Sequence, residues 1–254
     1  MVLRCRRELR SRTRVWLVYP VFAALLMSSI GGAYETYRER ADAANFAMPG
    51  RLVDVGGHRL HINCTGTGSP TVVLEPGLGE PSTAMAWIAP AVAGTTRVYT
   101  RIASWPGFYE MFRRASGLLP ALSRLGVGRV LYANAYSNLP RPARAQERAF
   151  LATPRDNRSL RDEFSQLRTA MAQARSLTSL GNVPLVVVTA EKDAEPGWMA
   201  AQTDLQGLST QSVHRFAPDA THAMLTENQA VAARSSQAVR DVVNSIRTRT
   251  SISR

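Results

Sequence analysis

Two segments of this chain place proton-handling groups directly after runs with the character of buried strands. Pro184-Leu185-Val186-Val187-Val188-Thr189 leads into Ala190-Glu191-Lys192-Asp193, and Ser212-Val213-His214-Arg215-Phe216 leads, two residues later, into Asp219-Ala220-Thr221-His222-Ala223. Open α/β sheets hold their ligands outside the carboxyl ends of their strands, so both turns stand where a site would lie. A carboxylate and an imidazole on neighbouring strand ends can pair. The carboxylate orients the ring and stabilises its protonated form, as acyl transfer requires.

Such chemistry also needs a nucleophile on a strand-turn-helix elbow, G-x-S-x-G, whose small flanking residues permit the strained turn that exposes the hydroxyl. None of the 254 residues stands in that motif, or in an A-x-S-x-G or cysteine equivalent. Ser104 and Ser82 are the serines near expected strand ends, and neither lies in an elbow. The four histidines, His58, His61, His214 and His222, have no HExxH or clustered carboxylate spacing, so no metal and no cofactor is expected.

The elements that would position these groups read as an α/β alternation. Leu52, Val53 and Val55, then Gly56-Gly57, then Leu60, Ile62 and Cys64 predict a hairpin that begins the folded domain at about Arg51. Thr71-Val72-Val73-Leu74 predicts a strand buried on both faces, followed by a helix from about Ser82 to Ala93 and a strand at Arg97-Val98-Tyr99-Thr100. Residues 107–180 change to helical pieces, with Leu160, Phe164, Leu167, Met171 and Ala174 on one helix face. The two strands before Asp193 and His222 follow. Pro196 can open a helix between them, and Thr226-x-x-Gln229 is a capping box for a C-terminal helix.

In this order the pieces from about Arg51 to Arg247 resemble the α/β-hydrolase superfamily of serine esterases and lipases. RLVDVGGHRLHINCTGTGSPTVVLEPGLG is similar to the family's opening hairpin, third strand and oxyanion loop, and WIAPAVAGTTRVYT to its first helix and fourth strand. PLVVVTAEKD is similar to the strand and turn bearing the acid, and ATHAMLTENQAVAARSSQAVRDVVNSIR to the histidine loop and last helix. The resemblance implies an α/β fold with a mostly parallel sheet and a helical cap. It also implies Asp193 as the acid, His222 as the general base, and Gly77-Leu78 as the oxyanion turn with the Leu78 N–H as a donor. Asp204, Asp219 and His214 are rivals that do not follow a strand in the same way. Glu75-Pro76-Gly77 departs from the His-Gly of many relatives, and the whole block from the fourth strand's end through the elbow strand and its helix is absent. The sheet is therefore expected to be incomplete in its centre.

Net charge and hydropathy decide the expected partners. The chain carries a net charge of +12, but Arg4, Arg6, Arg7, Arg10, Arg12 and Arg14 against Glu8 put +5 of it in the first 14 residues. No dense basic stripe remains elsewhere, which disfavours nucleic acid. Residues 15–34, VWLVYPVFAALLMSSIGGAY, hold no charge and would reach about 30 Å as a helix, one hydrocarbon thickness. They predict a membrane anchor, with a cleaved signal peptide and a buried helix as the alternatives. The arginines before it would keep the N-terminus in the cytosol and export the domain. Residues 35–50 read as a tether, and Cys5 and Cys64, on opposite sides, could not pair.

The expected protein is thus a single-pass, membrane-anchored, esterase-like α/β-hydrolase relative with acid and base but no serine nucleophile. A small-molecule ester is its expected substrate. The alternative is a non-catalytic, membrane-tethered binding protein or a truncated remnant.

Overall fold

The structure is a computed structural model that describes residues 14–46, 50–54, 56, 59–74, 80, 82–93 and 117–252. A π turn, Arg14–Val18, enters the long helix α1 (Tyr19–Asn45), whose first turn carries Pro20, where the missing N–H costs no intrahelical bond. The hairpin follows as predicted: β1 (Arg51–Asp54) pairs antiparallel with β2 (Arg59–Ile62), Leu52 opposite His61. A 3-10 turn (Ser82–Met85) leads to α2 (Ile88–Ala93). Five helical elements then alternate with loops or strands: α3 (Leu119–Arg124), α4 (Val127–Leu131), α5 (Arg141–Leu151), α6 (Pro154–Arg175) and, after β3 (Leu185–Ala190), α7 (Trp198–Gln206). The chain closes with β4 (Ser212–Ala217), α8 (Met224–Glu227) and α9 (Gln229–Thr248).

The first half of the apolar stripe of α6 packs, Leu160 and Phe164 being buried with Leu119 and Leu167 against them, while Met171 is partly covered and Ala174 is exposed. Thr153 caps the helix, its hydroxyl accepting from the Asp156 N–H at 3.1 Å. A second core joins Met85, Ile88 and Val92 to Ala232 of α9. A third lies beneath the strand ends, where Ala190, Ala217 and Ala220 meet Met224, Leu225 and Val231. At α9 the cap is not Thr226. Asn228 Oδ1 accepts from the Ala230 and Val231 N–H groups, while the Thr226 hydroxyl turns back to the Ala223 carbonyl.

The expected mostly parallel α/β-hydrolase sheet is corrected by this architecture. Among the described residues there are two separate two-stranded sheets, β1 with β2 and β3 with β4, and only the second is parallel. Thr71 to Leu74 makes isolated bridges at Thr71 and Val73 rather than a strand, and Val72 and Leu74 pack on the core built around Ile88 and Val92. A short apolar run buries equally well as a core segment or as a central strand, so its pattern does not distinguish the two. The strand expected at residues 97–100 lies outside the described residues.

The membrane anchor is corrected as well. No helix among the described residues is long and apolar enough to cross a membrane. The uncharged residues 15–34 are divided between the π turn and α1, and α1 runs on through Glu35, Arg38, Glu39, Arg40 and Asp42 as far as Asn45. The segment expected as a tether is therefore helical through Asn45, and Glu35 and Asp42 are buried in it. A single-pass protein with a cytosolic N-terminus and an exported domain is not supported, and the ground for a bilayer partner at residues 15–34 goes with it.

The polar half of α1 is a packing element. At Gly31 a Cβ would sit 2.1 Å from the Leu125 carbonyl oxygen, so only glycine admits this approach of the α3–α4 turn. Beyond that notch the Arg129 guanidinium grips both acids, its Nε and Nη2 donating to Glu35 at 2.9 and 3.0 Å and its Nη1 donating to Asp42 at 2.5 Å. Burial works against the charge of Arg129. The hydrogen bonds to Glu35 and Asp42 outweigh that loss and raise its proton affinity.

Candidate functional site

The parallel pair does bring the two sequence-predicted turns side by side. β3 and β4 run in register from Leu185 opposite Ser212 to Ala190 opposite Ala217, so both end at the same level. Main-chain bonds stitch the loops beyond: the Glu191 N–H donates to the Ala217 carbonyl at 3.2 Å and the Lys192 N–H to the Ala220 carbonyl at 3.1 Å. Asp193 follows in the left-handed conformation, φ +61°, which Asp tolerates better than most residues. Asp193 and His222 are both exposed.

Their side chains do not form the expected pair. No hydrogen bond or ion pair joins the Asp193 carboxylate to the His222 ring among the described residues. The ring meets Trp198 instead, edge to face, with centroids 5.6 Å apart and planes at 83°. The rival His214 lies within β4, where its Nε2 is 2.8 Å from the Thr189 hydroxyl and Phe216 packs on its ring. This is the one hydroxyl–imidazole contact among the described residues, but Thr189 is 1% exposed and out of reach of a substrate. Burial lowers the proton affinity of His214, opposed by the charge of Glu191. Asp219 and Asp204 are exposed. Ser82 opens the 3-10 turn, exposed, and Cys64 is a free, exposed thiol. Gly77, Leu78, Ser104 and His58 lie outside the described residues, so the oxyanion turn does not enter the geometry.

A second group, of titratable side chains around α5, was not legible as a motif. Glu147 on α5 has no exposed surface. Its Oε1 accepts from the Thr83 hydroxyl at 2.5 Å, while Oε2 is buried without a hydrogen-bond partner. Burial pushes this carboxyl up to about 8. The Thr83 bond opposes that rise, and the charges of Glu80, Asp156 and Glu227 reinforce it. Glu227 is itself raised by burial and by Glu80. Asp156, at the start of α6, is pushed up to about 7 by burial and by Glu163, and its Oδ2 is also unpartnered.

Around these acids, the Tyr136 hydroxyl donates to Glu80 Oε1 at 2.9 Å from a left-handed backbone, φ +54°, a costly conformation for a bulky residue. The Trp87 indole N–H reaches both the Glu227 and the Asn138 carbonyls at 3.0 Å. The arginines of α5 serve elsewhere. Arg144 donates to the Ser137 carbonyl at 3.0 Å and Arg148 to the Ala135 carbonyl at 2.7 Å. One signal in the sequence marks the place: Ala143, Glu147 and Leu151 fall at four-residue steps on the buried face of α5, so a carboxylate interrupts an apolar stripe. Among the described residues no cluster of His, Cys, Asp or Glu could hold a metal ion.

No family model matches the chain, and no curated protein matches it. The α/β-hydrolase resemblance is left without a relative to support it. The expected α/β-hydrolase fold is corrected by the two small sheets found among the described residues, and no relative stands behind the hydrolase and esterase-like expectation.

Proposed function

We propose that the protein is a non-catalytic binding protein whose recognition surface is formed by the loops at the carboxyl ends of β3 and β4. The observation that carries this reading is the state of His222. It is exposed, lies against Trp198, and among the described residues is joined neither to Asp193 nor to any hydroxyl. A general base in acyl transfer needs a carboxylate to hold its tautomer and a nucleophile within hydrogen-bond reach. Recognition needs neither. The same loops offer Lys192 and His222 as hydrogen-bond donors, Asp193 as an acceptor and the Trp198 ring as an apolar wall. That set suits a small molecule carrying a carbonyl or ester group.

Incubating the full chain with a fluorophosphonate probe and, separately, with p-nitrophenyl acetate tests the reading, alongside a thermal melt followed by circular dichroism. The expected result is no serine labelling, no turnover above buffer, and a cooperative melt. Labelling that Ser82→Ala or Ser104→Ala abolishes would make the protein an enzyme. A melt without cooperativity would favour a remnant that does not fold as a unit.

A further inference from the structure

A second binding site is suggested by the acids at the foot of α5, and it stands independently of the strand-end surface. We propose that Glu147, with Glu80 and Glu227 beside it and Tyr136 and Trp87 at its margin, binds the primary ammonium group of a small organic cation. The acidic cluster alone would not carry this. The independent observation is the fully buried Glu147 side chain, whose second oxygen has no hydrogen-bond partner although its surroundings hold three further carboxylates. A buried acceptor left unmade is costly, and native proteins retain one chiefly where a ligand or chemistry uses it.

The chemistry selects among cations. A metal ion is disfavoured because no group of acids among the described residues is close enough to share one. A guanidinium would seek both oxygens of one carboxylate through its planar fork. Glu147 offers only one, because Thr83 occupies the other. A primary ammonium is a compact charge that a single acceptor oxygen can hold, which matches the one unpartnered oxygen of Glu147. The charges of Glu80, just before the 3-10 turn, and of Glu227 on α8 act on it from outside α5. Tyr136 and Trp87 add ring surface of the kind that attracts cations.

The titratable groups acting on Glu147 are Glu80, Asp156 and Glu227, and the nearby Arg144 and Arg148 are engaged with carbonyls of residues 135 and 137. With Glu147 protonated near neutral pH, an incoming ammonium displaces that proton. The neutral acid and the cation become an ion pair, and one proton passes to the buffer.

Calorimetric titration of the full chain with n-butylammonium chloride at pH 7, in phosphate and in HEPES, reads both binding and proton release. The expected result is saturable binding whose heat differs between buffers by up to one proton's ionisation. Tetramethylammonium, which has no N–H donor, should give no such heat. Glu147→Gln should weaken binding by about 10-fold or more and remove the buffer dependence, since a charge-assisted hydrogen bond is lost. Glu227→Gln, at a half-exposed position, provides the same comparison if Glu147→Gln melts without cooperativity. No saturable heat in the native chain would overturn the proposal. So would an affinity for n-butylammonium that neither substitution changes, or equal binding of tetramethylammonium.

Discussion

Glu35 on α1 and Glu147 on α5 both lack exposed surface, yet they are enclosed in opposite ways. Glu35 meets both arms of the Arg129 guanidinium, which also holds Asp42, so its charge is compensated within the fold. Glu147 meets one hydroxyl, and the charges acting on it are further carboxylates. The first arrangement is a clasp: it fixes the polar half of α1 to α4 and gives a reason for two acids in a helix that begins as an apolar run. The second joins α5 to the 3-10 turn through the Thr83 hydroxyl alone and leaves the carboxyl's charge uncompensated. The contrast separates an acid buried against a cation from an acid buried with one oxygen unpartnered.

The contrast breaks first at Arg129. Arg129→Met strands the buried Glu35 carboxylate and leaves Asp42 only its 3.4 Å contact with Arg38, and it should cost about 3–5 kcal/mol in urea unfolding. A loss under about 1 kcal/mol would mean that α1 is not clasped at all. Gly31→Ala tests the same contact through the backbone. A methyl 2.1 Å from the Leu125 carbonyl must push α1 away, with an expected cost of about 2 kcal/mol and a lower melting temperature. At the other site, Thr83→Val removes the one hydrogen bond Glu147 receives, at an expected cost of about 1 kcal/mol near neutral pH by the same measurement.

Much of the local structure was legible before any coordinates. The glycine turn at Gly56 predicted the hairpin, the valine-rich run at 186–188 predicted β3, the run from Ser212 to Phe216 predicted β4, and the period of Leu160, Phe164 and Leu167 predicted the buried face of α6. What failed was the joining of elements. Val72 and Leu74 are as apolar as a central strand requires, but nothing in a four-residue run says whether it will find strand partners. The uncharged stretch before Glu35 looked like a span because hydropathy counts residues one at a time. The notch at Gly31 and the reach of Arg129, 94 residues away from Glu35, are facts of tertiary structure.

The candidate sites divide in the same way. The proximity of the Asp193 and His222 loops followed from two consecutive strands of similar length. The left-handed turn at Asp193 and the contact of the His222 ring with Trp198 had no sequence signature. Glu80, Glu147 and Glu227 are far apart in the chain and meet only through the packing of the 3-10 turn against α5 and α8.

The pH dependence of unfolding, measured for the native chain and for Glu147→Gln, is the most direct test of the claim that Glu147 is enclosed as a neutral acid without a cation. Its proton affinity in the fold, near 8, exceeds the ordinary value of 4.5, so the folded state holds a proton that the unfolded chain releases between those limits. Stability of the native chain should therefore fall as pH rises from about 5 to 8, by an amount on the order of a few kcal/mol. Glu147→Gln should make that fall shallower, leaving the part owed to Asp156, which burial raises to about 7, and to Glu227, which is raised as well. A native chain whose stability rises over this range, or a Glu147→Gln profile that runs parallel to it, would contradict the account.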